Sequence, residues 1–183
     1  MSINLSNDKQ ELIVGTLGGK IYRVLANDLS FLLHSDSHAG GVRDIAFGTE
    51  SDFFLSIDEL GMIKRWDLSE YKSTFTGSPA KPIMGVCLAV AKDDGSILSG
   101  WQDGFLRCFD AVTRKALLWE IAGAHRGAIT AIYADSNYIL TGGQDGAVRV
   151  WSRQNNKLLI QFNGKSTKVT FNRLKERHRC SIP

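Results

Sequence analysis

A single turn recurs along this chain at nearly constant distance. Gly19, Gly61, Gly104 and Gly146 are separated by 42, 43 and 42 residues. Each opens a short stretch of strand formers that ends in Val24, Trp66, Phe109 or Trp151. In the first segment Gly18 also has a glycine's credentials. Only Gly19, however, places Lys20-Ile21-Tyr22-Arg23-Val24 in step with Met62-Ile63-Lys64-Arg65-Trp66. A period of roughly 40–45 residues is that of one four-stranded propeller blade, so the repeat alone restricts the chain to a small set of all-β architectures.

The rest of each period agrees. Before the turn, Glu11–Thr16, Phe53–Ile57, Ser96–Trp101 and Tyr138–Gly143 read as strands rich in β-formers or small residues. After it comes a further apolar stretch at Phe31–Leu33, Thr74–Thr76, Ala116–Ile121 and Leu158–Phe162. Upstream lies another at Val42–Phe47, Ile83–Val90 and Ile129–Tyr133. That is about four short strands per period. The expected layout is a polar N-terminal segment over 1–10, then repeats over about 11–33, 38–76, 83–121 and 125–162. A basic tail or broken fifth repeat follows over 163–183. No stretch holds a sustained helical period; Leu174–His178 is too short to be a helix alone.

The fourth repeat is the most complete, with His125, Thr141, Asp145 and Trp151 at fixed offsets. It resembles the WD-repeat family, whose buried His–Ser/Thr–Asp–Trp hydrogen-bond chain needs these residue types. The carboxylate accepts from the imidazole, the hydroxyl passes the chain on, and the indole N–H can only donate. The other repeats are partial. Repeat two keeps His38, Ser56 and Trp66 but has Leu60 at the turn Asp position, with Asp58 or Glu59 nearby out of register. Repeat three keeps Ser99 and Asp103, with Pro79 at the His position and Phe109 at the Trp position. Repeat one has Gly18 and Val24 at the Asp and Trp positions. Losing a whole polar set is nearly neutral, whereas losing one member strands the others. Repeat two is therefore expected to be strained or patched by water.

Several chemistries are disfavoured on the same residues. A hydroxyl, imidazole and carboxylate together suggest a hydrolase, but their spacing follows the repeat and no nucleophile-elbow motif is present. Gly142-Gly143-Gln144-Asp145-Gly146 joins strand to strand rather than strand to helix, so it reads as a hairpin and not a phosphate loop. The four histidines (34, 38, 125, 178) and the three cysteines have no metal-ligand spacing. Neither enzymatic activity nor a cofactor is expected.

Composition narrows the partners. The net charge of +3 conceals a basic end: residues 163–183 carry six Lys and Arg against Glu176. The remaining body is close to neutral, which argues against a nucleic-acid-binding face and leaves a basic tail suited to an acidic partner. No apolar run approaches the roughly 18–20 residues of a membrane-spanning helix. The polar start MSINLSNDKQ lacks the apolar core of a secretion signal, and Asn4-Leu5-Ser6 is then an idle glycosylation sequon. Cys87, Cys108 and Cys180, an odd count without CxxC, fit reduced thiols in the cytosol.

Blades bind through loops and turn-flanking residues held by rigid strands. The residues before each turn Asp position are Leu17, Glu59, Gln102 and Gln144, and Arg43 and Thr130 lie at the inner-strand bulge. Arg126 adjoins His125, and Trp101 precedes Gln102. An aromatic at the mouth of a propeller is either a partner anchor or packing between blades, and both readings of Trp101 stand. Trp119 is rim core or contact. The protein-binding candidates are thus Arg43, Glu59, Trp101, Gln102, Arg126, Thr130 and Gln144.

Residues 12–24 (LIVGTLGGKIYRV), 97–106 (ILSGWQDGFL) and 124–151 (AHRGAITAI through GGQDGAVRVW) occur in that order and spacing. They look like consecutive blades of the cilia- and flagella-associated protein 52 family, over residues 11–162. The resemblance implies two joined propellers of about seven blades each. It also implies a non-enzymatic protein inside ciliary doublet microtubules, docked on tubulin and other axonemal proteins, and located in the cytoplasm, cytoskeleton and axoneme. It offers no catalytic residue to transfer. This chain has four repeats, and Asn163-Gly164-Lys165 starts like another before the pattern stops. A truncated product, a split gene or a divergent paralogue would each account for that. Four repeats leave an open array, so self-association or completion of the propeller by a second chain is expected. The alternative function is a general WD adaptor of a multiprotein complex, with a ligand at the mouth near Trp101 and Gln102.

Overall fold

The computed structural model describes residues 1–33, 38–48, 52–70, 72–79, 81–110 and 117–164. It contains four antiparallel sheets of four strands each. The first blade is β1 (Ser2–Leu5), β2 (Glu11–Gly15), β3 (Ile21–Leu25) and β4 (Phe31–Leu33). The second is β5 (Val42–Phe47), β6 (Phe53–Asp58), β7 (Ile63–Asp67) and β8 (Ser73–Gly77). The third is β9 (Gly85–Val90), β10 (Ile97–Trp101), β11 (Leu106–Phe109) and β12 (Trp119–Ile121). The fourth is β13 (Ile129–Ala134), β14 (Tyr138–Gly143), β15 (Ala147–Ser152) and β16 (Leu158–Asn163). In every blade the strands pair in sequence order, as hairpin-connected propeller blades do.

Two boundaries differ from the sequence reading. The N-terminal segment supplies the innermost strand of blade one: Ser2 to Leu5 pair with Gly15 to Leu12. Alternating Ser-Ile-Asn-Leu is a strand pattern, hidden by the polar residues that follow it. The outer strand of blade three begins only at Trp119, and residues 111–116 lie outside the described set, as do His34, His178, Cys180 and the tail beyond Gly164.

The four repeated glycines all have positive φ: 78° at Gly19, 84° at Gly61, 78° at Gly104 and 74° at Gly146. Gly19, and not Gly18, is therefore the first turn residue. A side chain is excluded for a second reason. A Cβ on Gly19 would stand 2.3 Å from the His38 carbonyl oxygen, one on Gly61 2.4 Å from that of Ile83, and one on Gly104 2.1 Å from that of His125. Each turn is thus pressed against the backbone that leads into the next blade. The same segment is tied there by hydrogen bonds from His38 N–H to Gly19 O (3.0 Å) and from His125 N–H to Gly104 O (3.0 Å).

Packing runs from blade to blade. Ile13 and Ile21 of blade one meet Val42, Ile45, Phe54 and Trp66 of blade two. On its other face blade two presents Phe53, Leu55, Ile57 and Ile63 to Leu88, Ile97, Trp101 and Phe109. Blade three then offers Cys87, Leu98, Leu106 and Cys108 to Ile129, Ile139 and Trp151. Below the third interface, Arg153 of blade four reaches Asp93 and Asp94 of blade three. Among the described residues blades one and four share no packed face, so the array is open. Its two end faces remain apolar, with Ile3, Phe31 and Leu33 exposed on blade one and Tyr133, Ile160 and Phe162 on blade four.

Both described thiols are free and buried at these interfaces. Burial pushes the Cys87 thiol well above its ordinary range and that of Cys108 up to about 11. Neither should react with a thiol reagent at pH 8 until the chain unfolds; alkylation mapped by mass spectrometry with and without denaturant checks this. The turn geometry predicts a sharper contrast. Gly95 has φ 69° but open space around it, so Gly95→Ala should cost only the left-handed strain of roughly 1–2 kcal/mol. Gly104→Ala adds a backbone collision and should cost distinctly more in urea unfolding.

Candidate functional site

The buried polar set of blade four assembles from two strands, the turn between them and the segment that leads into the inner strand. His125 lies four residues before β13, Thr141 is in β14, Asp145 in the β14–β15 turn and Trp151 in β15. His125 Nδ1 is 2.8 Å from Asp145 Oδ1, its Nε2 is 2.7 Å from Thr141 Oγ1, and the Trp151 indole donates to the same hydroxyl at 2.9 Å. The indole can only donate, so the hydroxyl accepts from it, and with the Asp145 carboxylate accepting from Nδ1 of a neutral ring, Nε2 is left to accept the hydroxyl's proton. The imidazole then carries its proton on Nδ1, toward Asp145. Burial lowers the basicity of His125 more than Asp145 raises it, and Arg149 also lowers it, so the ring is neutral at pH 7. Burial works to raise the Asp145 carboxyl. Bonds from His125, from the Arg126 N–H, from Arg149 and from the Ala147 N–H outweigh it and hold the group well below the usual carboxylate range.

Blade two closes the same set by another route, contrary to the strain expected there. His38 Nδ1 is 3.0 Å from Asp58 Oδ2, His38 Nε2 is 2.6 Å from Ser56 Oγ, and Trp66 donates to Ser56 Oγ at 2.8 Å. Strand pairing explains the substitution. Asp58 opposes Val42 as Gly143 opposes Ile129, so Asp58 and Gly143 are equivalent, as are Leu60 and Asp145. A Cβ on Gly143 would stand 2.2 Å from His125 Nδ1 and 2.9 Å from Asp145 Oδ1. The carboxylate can therefore come from either position, and the other must make room. Asp58 also accepts from Leu60 N–H and Met62 N–H. Burial raises its carboxyl, but these bonds and His38 bring it below the ordinary value.

Blade three has no imidazole, and Trp101 takes its place. Counting back from β9 on the pairing of Trp101 with Gly85 puts Lys81, which is exposed, at the His position instead of Pro79. The Trp101 indole donates to Ser99 Oγ at 2.8 Å, and Ser99 donates to Arg107 O at 3.2 Å. Without a histidine, Asp103 turns to Arg107, at 2.7 Å, and the guanidinium lies 5.2 Å from the Trp101 ring. Trp101 is 0% exposed. It is packing between blades two and three and cannot be a partner anchor, which removes it from the binding candidates. Trp119 packs partly against the third interface.

The remaining candidates cluster at one end of the array. The backbone N–H groups of Glu59, Gln102 and Gln144 make one repeated bond, to Gly41, Met84 and Ala128 carbonyls respectively, and their side chains are exposed. Arg43 and Thr130 are the extra residues of bulges in β5 and β13, and Val86 is the third member of that series. All three line a groove of about 890 Å3 formed by the innermost strands. Arg126 is exposed beside the turn of blade four. Sequence reasoning missed Asp44. Its carboxylate accepts from Leu88 N–H at 2.8 Å and lies 3.3 Å from Ser2 Oγ, joining the inner strands of three blades. The alternation that placed Ile45 inward gave no sign of it.

With this geometry in place, a profile of the "WD domain, G-beta repeat" family matches residues 118–152, the stretch that holds the complete polar set. Over that stretch the chain matches the WD-repeat family. It is similar to "Cilia- and flagella-associated protein 52" of Chlamydomonas reinhardtii, 30% identical over 119 residues, covering 65% of this chain and 19% of that protein. The Homo sapiens protein of the same name is 30% identical over 132 residues, covering 72% and 21%. The chain thus spans about a fifth of the length of the curated relatives it matches. Among the described residues no cluster of His, Cys, Asp or Glu could hold a metal ion.

The WD set of blade four generates a pH signature. Folding lowers the Asp145 pKa, so its stabilisation is present above the ordinary value of about 3.9 and is lost as pH falls toward the folded value. Asp145→Asn should cost about 1–3 kcal/mol at pH 7. The gap between variant and wild type should narrow below pH about 4, read by urea melts across pH.

Proposed function

We propose that this chain is a non-enzymatic WD-repeat scaffold of the cilium or flagellum, held on doublet microtubules by contacts to tubulin and neighbouring axonemal proteins. The observation that carries the ciliary reading is its similarity, over 65–72% of its length, to relatives named for cilia and flagella. The scaffold reading is supported by the fate of the reactive groups. His38, Ser56 and Asp58 have the connectivity of a hydrolytic triad, yet all are buried, and Ser56 Oγ already accepts from Trp66. A substrate has no approach to it. What the blades leave outward at the mouth is Arg43, Glu59, Gln102, Arg126, Thr130 and Gln144, a set suited to polar contact with a protein surface.

The test is the position of a tagged copy in detergent-extracted, high-salt-washed cilia. Retention on the doublets is the expected result. A second copy carrying Arg43→Glu and Arg126→Glu should keep its melting temperature within about 2 °C and be retained less, because surface changes of this kind rarely disturb folding. Release of the wild-type chain into the wash would overturn the axonemal reading and favour an adaptor working elsewhere.

A further inference from the structure

The inner strand of each blade is paired along one edge only. Its other edge turns backbone N–H and C=O groups toward the groove of about 890 Å3, and such groups take partners from the protein or from outside it. Ile45, Leu88 and Ile132 hold the same register, each opposite the Ser/Thr of its blade. In blade two both groups of this residue are met. Asp44 Oδ1 accepts from Ile45 N–H at 2.9 Å, and Asn4 Nδ2 donates to Ile45 O at 2.9 Å. In blade three one is met, by the bond of 2.8 Å from Leu88 N–H to Asp44 Oδ2.

These ties run out at blade four. The counterpart of Asp44 in blade three is Cys87, and its thiol goes to Ile129 O at 3.4 Å. The counterparts of Asn4 are Ala46 and Ala89, which have no donor to give. Among the described residues, Leu88 C=O and both backbone groups of Ile132 are therefore left without a partner. Alternate residues of a strand share an edge, so Ala134 continues the open edge that Ile132 begins.

Charge selects the occupant. The charged residues that line the groove are Arg43, Asp44 and Lys92, two cations to one carboxylate. That carboxylate is spent on the Ile45 and Leu88 amides and the Ser2 hydroxyl. Arg43 has no carboxylate partner among the described residues. It is the bulge residue of β5 as Thr130 is of β13, so it stands at the end of the groove where β13 begins.

We infer that the groove takes an extended acidic peptide of a partner protein, laid along β13 as an added strand, with its main chain on Ile132 and Ala134 and a carboxylate on Arg43. The main-chain bonds supply affinity for an extended segment, and the guanidinium supplies the preference for acid. The site is independent of the ciliary reading, since it concerns what the scaffold holds and not where it works.

The probe is a capped six-residue peptide with Glu at each end and Thr-Val-Thr-Val between, matched to the six residues of β13 and acidic in either strand direction. Titrated by calorimetry into the full chain, it should bind with a Kd below about 1 mM. Arg43→Glu should weaken it at least about tenfold, and Lys157→Glu, an equal charge change on an exposed turn, should leave it unchanged. A fully N-methylated copy keeps both carboxylates but has no main-chain donors, and it should not bind. At saturation the Ile132 amide should exchange at least about tenfold more slowly than in the free chain. Absence of binding would overturn the inference. So would equal binding of a Lys-ended peptide, binding of the N-methylated copy, or protection that appears along β16 and not at Ile132.

Discussion

The close approach of each turn glycine to the backbone of the following blade is the constraint on which the rest of this structure depends. An isolated four-stranded sheet buries only part of its apolar surface, and a blade is stable because its neighbours cover both faces. The turn at Gly19, Gly61 or Gly104 lies within 2.1–2.4 Å of a carbonyl oxygen once a Cβ is drawn in. The faces therefore meet at a fixed separation and angle. Phe54 and Trp66 stack with ring centres 5.8 Å apart under the first of these contacts, and Trp101 and Phe109 meet at 6.3 Å under the second. A Cβ at any of these turns would have to push that backbone away, and the packing of these rings against the neighbouring sheet would loosen with it.

Much of this was legible in the sequence because it rests on periodicity. The glycine spacing fixed the number of blades, and the alternation of apolar residues placed the strands. The polar set of blade four was visible because all four residue types stand at the usual offsets. Three features escaped for physical reasons. Asp58 serves blade two from a strand position, and an offset rule looks only at the turn. Trp101 stands where its side chain is able to reach Ser99 from the imidazole's side, and residue type alone does not give that direction. Ser2–Leu5 forms a strand because β2 is beside it, and four residues with two polar members carry little signal alone.

The three buried arrangements share a logic that bears on function. In each, a hydroxyl at the centre of the sheet must be satisfied, and the chain does so with His38 and Trp66, with Trp101, or with His125 and Trp151. Blade one avoids the problem with Val14 and Val24 at the matching positions. The polar chemistry is consumed inside the blades. What remains for partners is the rim and the groove of the inner strands, where the side chains vary from blade to blade while the backbone repeats.

The exchange of Asp145 for Asp58 also bears on how such repeats diverge. The two layouts differ at two positions: glycine with aspartate in one, aspartate with leucine in the other. Changing the glycine first would put a Cβ 2.2 Å from the imidazole while the old carboxylate still held its place. Changing the aspartate first would leave a buried imidazole proton with no acceptor. Neither single step is benign, so moving the carboxylate takes both changes together. Where the carboxylate stands in a blade is therefore a property of two residues jointly, the end of the second strand and the turn, and neither can be read or redesigned without the other.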